Sequence, residues 1–118
     1  MSKYRSKKTV VDGITFDSKK EATRYWQLRQ LEKADRVRDL ELQPRFEIDV
    51  RRLADPLGDT YHIGFYKADF RYKETATAAD HTSYWVEVVE DAKGVRTPIY
   101  SLKKKLIEAL YGIEIKET

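Results

Sequence analysis

The sequence has no cysteine, which excludes a disulfide framework and any thiolate metal site. Its two histidines, His62 and His81, have no ligand-like spacing. No glycine-rich phosphate loop is present, which argues against a nucleotide cofactor and an ATP-driven reaction. No apolar run approaches the roughly 18 residues of a membrane span, and the basic N-terminus lacks the apolar stretch of a secretory signal. There is no internal repeat and no low-complexity segment. The expectation from these absences is a soluble, cytoplasmic protein of a reducing compartment, with no membrane partner.

What the chain does contain is charge, and enough apolar surface to fold. Of its 118 residues, 41% are hydrophobic and 36% charged, yet the net charge is only +3. That suits one small domain over residues 9–118, in which basic residues matter by where they cluster. One cluster is an N-terminal arm, residues 1–8, where Lys3, Arg5, Lys7 and Lys8 stand with almost nothing apolar. It reads as a solubilising tail or as a phosphate-contacting arm. Thr9 to Phe16 then has the form of a hairpin, with Asp12-Gly13 as the turn.

Ser18 opens a helix expected to run to about Ala34. Ser18 as N-cap and Glu21 three residues later make a capping box. At about 100° per residue, Tyr25, Leu28 and Leu31 fall in one apolar stripe, with Ala22 and Trp26 packing beside it. Glu21 lies within roughly 20° of Leu28 and faces inward. It is either part of the cap alone or a carboxylate delivered to a site.

Ala34 to Asp39 reads as a polar connection, and Pro44 blocks a helix after it. Arg45 to Val50 alternates as a half-buried strand. After a turn at Asp55 to Asp59, Tyr61 to Tyr72 reads as one long strand carrying Asp69, with Ala68, Phe70 and Tyr72 on its other face. Thr75 to Ser83 is a polar loop. Tyr84 to Asp91 is a buried strand ending in acids, Lys93 and a glycine. Thr97-Pro98 announces a second helix, with Ile99, Leu102, Leu106, Ala109 and Leu110 as its apolar stripe. Lys103, Lys104 and Lys105 crowd its other side; the plain reading is a solvated face, the other a DNA-backbone contact. Gly112 ends the helix, and Ile113 to Lys116 is a last short strand.

An acid on one strand and acid-x-lysine on the next, here Asp69 and Asp91-x-Lys93, resembles the PD-(D/E)XK nuclease motif, with Ala68 in place of the usual proline. The chain also resembles a group of small phage-encoded proteins that share FDSKKEA (Phe16 to Ala22), ADF (Ala68 to Phe70), EDAKG (Glu90 to Gly94) and T-x-x-Y-x-x-K-K (Thr97, Tyr100, Lys103, Lys104). It is similar in arrangement to phage endonuclease I and archaeal junction resolvases. The resemblance implies an α/β, restriction-endonuclease-like αβββαβ core, with a mixed central sheet flanked by helices, behind the hairpin and arm.

The implied activity is metal-dependent endonuclease cleavage of double-stranded or branched DNA, as in Holliday-junction resolution, by a homodimer in a phage-infected host. The implied cofactor is Mg²⁺ or Mn²⁺, held by Asp69, Asp91, the Ala92 carbonyl and Glu21, with Lys93 orienting or deprotonating water. Hard oxygen ligands suit such a cation, which neutralises phosphate charge, and carboxylates gathered without one repel each other. Arg96, Thr97, Tyr100, Lys103 and Lys104 join the arm as DNA-contact candidates. The alternative is a non-catalytic DNA-binding or interaction module on the same fold.

If the arm touches phosphates, deleting residues 1–8 lowers the slope of log affinity against log salt on duplex DNA by about 0.9 per lost contact. An unchanged slope makes the arm a solubilising tail.

Overall fold

The computed structural model describes residues 8–92 and 96–118. It is a mixed α/β protein with two helices and several sheets. In chain order the elements are β1 (Thr9–Val11), β2 (Ile14–Phe16), α1 (Lys19–Lys33), β3 (Val37–Leu42), β4 (Arg45–Val50), β5 (Tyr61–Lys67), β6 (Phe70–Thr77), β7 (Ser83–Asp91), α2 (Pro98–Tyr111) and β8 (Ile115–Glu117). Four strands share one sheet in the order β3-β6-β7-β8, while β1-β2 and β4-β5 form two-stranded sheets. Internal contacts divide the chain into two compact units, residues 1–40 with 72–88, and residues 41–71 with 89–118. No helix among the described residues is long and apolar enough to cross a membrane.

In the first unit, Asp12 and Gly13 both take positive φ (53° and 75°). That conformation matches the twist of the antiparallel β1-β2 pair they connect. Ser18 caps α1 as read, its Oγ accepting the Glu21 N–H at 3.1 Å. The far end of α1 closes without glycine. Asp35 adopts φ 61°, its N–H reaches the Glu32 carbonyl, and the Arg36 N–H reaches that of Leu31. This is a Schellman closure in which a short polar side chain tolerates the left-handed conformation. Ala22, Tyr25 and Leu28 are buried with Glu21, and the Phe16 and Tyr25 rings pack 5.0 Å apart. Trp26, expected to pack, is 55% exposed; one residue beyond Tyr25 turns it about 100° off the buried stripe.

In the second unit, β4 and β5 pair antiparallel from Arg45↔Lys67 to Val50↔Tyr61, with a bulge after Ile48. Phe46, Ile48, Tyr66, Ala68, Val89, Tyr100, Ile107 and Ile115 form its core. β7 and β8 run parallel, Asp91 standing opposite Glu117, and parallel neighbours require a crossover such as α2. Thr97 caps α2 by accepting the Tyr100 N–H at 3.1 Å. Pro98 occupies the first turn, and Gly112 ends the helix at φ 64°.

Several sequence expectations change. Val37–Leu42 is a strand, so the expected polar connection from Ala34 to Asp39 ends at Arg36, and this strand enters the four-stranded sheet, whereas Arg45–Val50 does not. The long strand from Tyr61 to Tyr72 is two strands, interrupted at Ala68 and Asp69. There the Ala68 N–H bonds the Pro44 carbonyl and the Asp69 carbonyl accepts the Gln43 N–H, so the chain leaves β4 and joins β3. β6 continues to Thr77, which shortens the expected loop, and the last strand begins at Ile115, not Ile113.

The buried face of α2 also differs, although Leu106 of the expected stripe does pack, partly buried, against the core. Tyr100 and Ile107 are buried, while Ile99 and Leu102 are 69% and 61% exposed. The aromatic rings decide this: Tyr100 packs 6.3 Å from Tyr66, and Tyr111 packs edge-on to Phe46 at 5.2 Å. Lys103 and Lys104 share that side and are half-buried.

The difference is measurable. Ile107→Ala should cost about 2–5 kcal/mol in chemical denaturation. Leu102→Ala should stay within about 0.5 kcal/mol, as expected of a surface position. The reverse ranking would restore the expected stripe.

Candidate functional site

The end of β7 lies deep in the second unit: Val89, Glu90 and Asp91 are all buried, Asp91 completely. Alternation along a strand would expose every second side chain. Here both faces are covered: the core cluster packs on Val89, Glu90 on the opposite phase is buried too, and β6 and β8 flank the edges of β7 in the sheet. The backbone of Asp91 is fixed from the β8 side, where the Thr118 N–H donates to its carbonyl at 3.0 Å.

Asp69 meets this strand end through the backbone. Its N–H donates to the Glu90 carbonyl at 3.1 Å, and its Oδ2 accepts the Ala92 N–H at 2.6 Å. Two acids 22 positions apart in the sequence thus stand at adjoining backbone positions. The break between β5 and β6 puts Asp69 there: it sits at the switch, not in mid-strand.

Tyr66, next to that switch on β5, donates its hydroxyl to Asp91 Oδ2. Burial first, then the hydrogen bond to Asp91 and its charge, push the Tyr66 phenol far above its ordinary value, with Tyr100 and Asp69 adding to the shift. Tyr100 is raised as well, by burial first and then by the charges of Asp91 and Glu117. Its hydroxyl donates to Glu117 Oε2 at 3.2 Å. Glu117 also holds Arg96 at 2.8 Å and lies 3.9 Å from Lys104. The strand end is therefore an acidic cluster in which phenols, a backbone amide and two cations divide the carboxylates.

The sequence-derived candidates fall in several places. Asp69, Asp91 and Ala92 come together. Glu21 belongs to the other compact unit, where it is buried at the start of α1 as its helical phase requires. Lys93 lies outside the described residues, as do Lys3, Arg5 and Lys7; Lys8 is exposed. Arg96 pairs with Glu117, Thr97 caps α2, and Tyr100 is buried beneath it. Lys103 places its ammonium 5.9 Å from the Phe65 ring, and Lys104 pairs with Glu108 at 3.5 Å. Among the described residues, no three His, Cys, Asp or Glu side chains form a group able to hold a metal ion. Both histidines are exposed, His62 bonding Asp49 at 2.8 Å and His81 in the loop before β7.

Sequence reasoning did not single out Tyr66 or Glu117. The only signal for Tyr66 was its inward phase beside Ala68. Glu117 lay one residue past the expected last strand.

A family model described as "Protein of unknown function (DUF1064)" matches residues 1–118. No curated protein and no solved structure matches the chain.

The raised phenols give a pH dependence with a definite sign. A folded state that holds these protons more tightly than the unfolded chain keeps the full benefit below the ordinary phenol value of 10.0. It loses that benefit as pH rises toward the folded-state values. In an alkaline titration of the eight tyrosines followed by tyrosinate absorbance, Tyr66 and Tyr100 should ionise well above the ordinary phenol value, together with unfolding. Reversible ionisation of all eight near pH 10 would contradict their burial.

Proposed function

The chain belongs to the DUF1064 family, whose description assigns no activity, and from the site itself we propose that it is a metal-dependent DNA endonuclease of the PD-(D/E)XK type. The observation that carries the proposal is the meeting of Asp69 and Asp91, locked by the Asp69 N–H on the Glu90 carbonyl and the Ala92 N–H on Asp69 Oδ2. Support comes also from the element order. With the β4-β5 hairpin taken as an insertion, α1, β3, β6, β7, α2 and β8 follow the αβββαβ order, in a sheet whose strands lie in sequence order. The proposed substrate is branched or double-stranded DNA, cut by a homodimer in the cytoplasm of a host cell.

The donor set fits Mg²⁺ or Mn²⁺. Mg²⁺ is commonly held by one or two carboxylates plus water and substrate phosphate, not by a full protein cage. Asp69 and Asp91 would hold it, with the Ala92 carbonyl as a third oxygen. Glu21 and Lys93 keep the roles the resemblance gives them. When bound, the cation neutralises charge on the scissile phosphate and acidifies the attacking water. The chain's own residues fix both carboxylates before substrate arrives, so little reorganisation is needed during reaction. Lys8 is exposed and remains a candidate for phosphate contact.

A second reading has its own observation. A fully buried aspartate bonded to a tyrosine is also what a purely structural carboxylate looks like, and it would suit a non-catalytic DNA-binding module. Incubation with linear, nicked, single-stranded and four-way DNA, with Mg²⁺, Mn²⁺ or EDTA, decides between them. The nuclease reading expects cleavage with metal and none in EDTA. Asp69→Asn and Asp91→Asn should each lower the rate by more than about 100-fold, since even residues behind a ligand cost 10–100-fold, with DNA binding retained. Glu21→Gln keeps the cap geometry, so lost cleavage would assign that side chain to the site. DNA binding without cleavage of any substrate in either metal leaves the binding module standing.

A further inference from the structure

We propose that Tyr66 is a positioning residue, whose hydroxyl sets the orientation in which the Asp91 carboxylate receives a divalent cation; this rests on the nuclease reading above. Tyr66 is held from several sides. It pairs with Phe46 across β4-β5, its ring lies 6.4 Å from that of Phe46 and 6.3 Å from that of Tyr100, and the residue is buried. The phenol has little freedom, so the oxygen it bonds has little either.

The aspartate side chain turns about two bonds, and the second of these has a broad, shallow preference. The Asp91 backbone is already fixed by the Thr118 N–H and the register with Glu117. A donor on Oδ2 removes the remaining freedom of the carboxylate plane. Each carboxylate oxygen has more than one acceptor direction, so a phenol on Oδ2 leaves the group able to bind a cation.

The chemical type of the donor matters as much as its place. An arginine or lysine here would orient Asp91 but also cancel its charge and compete with the cation. A phenol orients it and stays neutral. The nearby cations stand at other carboxylates, Arg96 at Glu117 and Lys104 between Glu108 and Glu117, with Tyr100 between Glu117 and Tyr66. Groups that hold a ligand from behind commonly contribute 10–100-fold to metal affinity.

The test uses the full chain and Mn²⁺ as probe, titrated by calorimetry and by electron paramagnetic resonance. The variants are Tyr66→Phe, which keeps the ring and loses the hydroxyl, Asp91→Asn, and Phe46→Leu, which disturbs the same packing but not the hydroxyl. Thermal unfolding in EDTA measures the structural cost of each. The expected result is Mn²⁺ affinity 10–100-fold weaker in Tyr66→Phe and unchanged in Phe46→Leu. Cleavage by Tyr66→Phe should recover toward the parent rate at saturating Mn²⁺, because the loss lies in the metal constant and not in the maximal rate.

Parent-like Mn²⁺ affinity in Tyr66→Phe, with affinity lost in Asp91→Asn, overturns the role of Tyr66 and leaves the nuclease reading intact. Equal weakening in Phe46→Leu and Tyr66→Phe reduces Tyr66 to packing and also overturns the proposal. A parent that binds no Mn²⁺ removes the nuclease reading, and this proposal with it.

Discussion

A fully buried carboxylate at the end of β7 is the constraint on which the second unit depends. An ionised group taken out of water is costly unless hydrogen-bonded or paired. Asp91 meets this through Tyr66, which arrives from a strand 25 residues earlier. That requirement explains the local architecture: β4 and β5 must fold back as a hairpin, and β5 must end close enough to β7 for a tyrosine to span the gap. It also explains why the chain breaks at Ala68-Asp69. A continuous strand would have kept β5 and β6 in one sheet, whereas the switch leaves Tyr66 in one sheet and Asp69 just ahead of β6 in the other.

The same economy governs the helix that joins β7 to β8. Parallel strands cannot be joined by a tight turn, so α2 must cross over, and its buried side must fit what already fills the core. Tyr66 and Phe46 fill it with rings, and α2 answers with Tyr100 and Ile107, while the half-exposed Tyr111 ring packs edge-on to Phe46 at its rim. Lys103 and Lys104 stand on that side and are partly buried, which a long apolar stem tolerates. Charge follows the same division. Glu117 takes Arg96 and shares Lys104 with Glu108, and Asp69 and Asp91 receive a backbone amide and a phenol, neutral donors that bond the two acids without pairing them with a cation.

Much of the candidate site was legible because its signals are short. Asp69 and Asp91 are marked by their neighbours, an apolar strand end in each case, and the inward phase of Glu21 follows from seven-residue spacing to Leu28. Tyr66 was not legible. Nothing in its immediate sequence distinguishes a tyrosine that fills a core from one that bonds a carboxylate, and its partner is fixed only when two sheets meet. The apolar stripe of α2 misled for a related reason: counting aliphatic residues ignores the larger area that aromatic rings bury.

The sequence by itself determined the punctuation of the chain: the Asp12-Gly13 turn, the Ser18 and Thr97 caps, the stop at Gly112 and the strand that closes on Asp91. Each is decided by backbone groups within three or four residues, where local geometry leaves few choices. Tertiary structure decided the partners: that Val37–Leu42 and not Arg45–Val50 enters the four-stranded sheet, that one expected strand is two, that α2 buries Tyr100 and Ile107, and that Tyr66 holds Asp91. Burial and long-range hydrogen bonding depend on surfaces supplied by elements tens of residues away, and periodicity within one element carries no information about which of them will arrive.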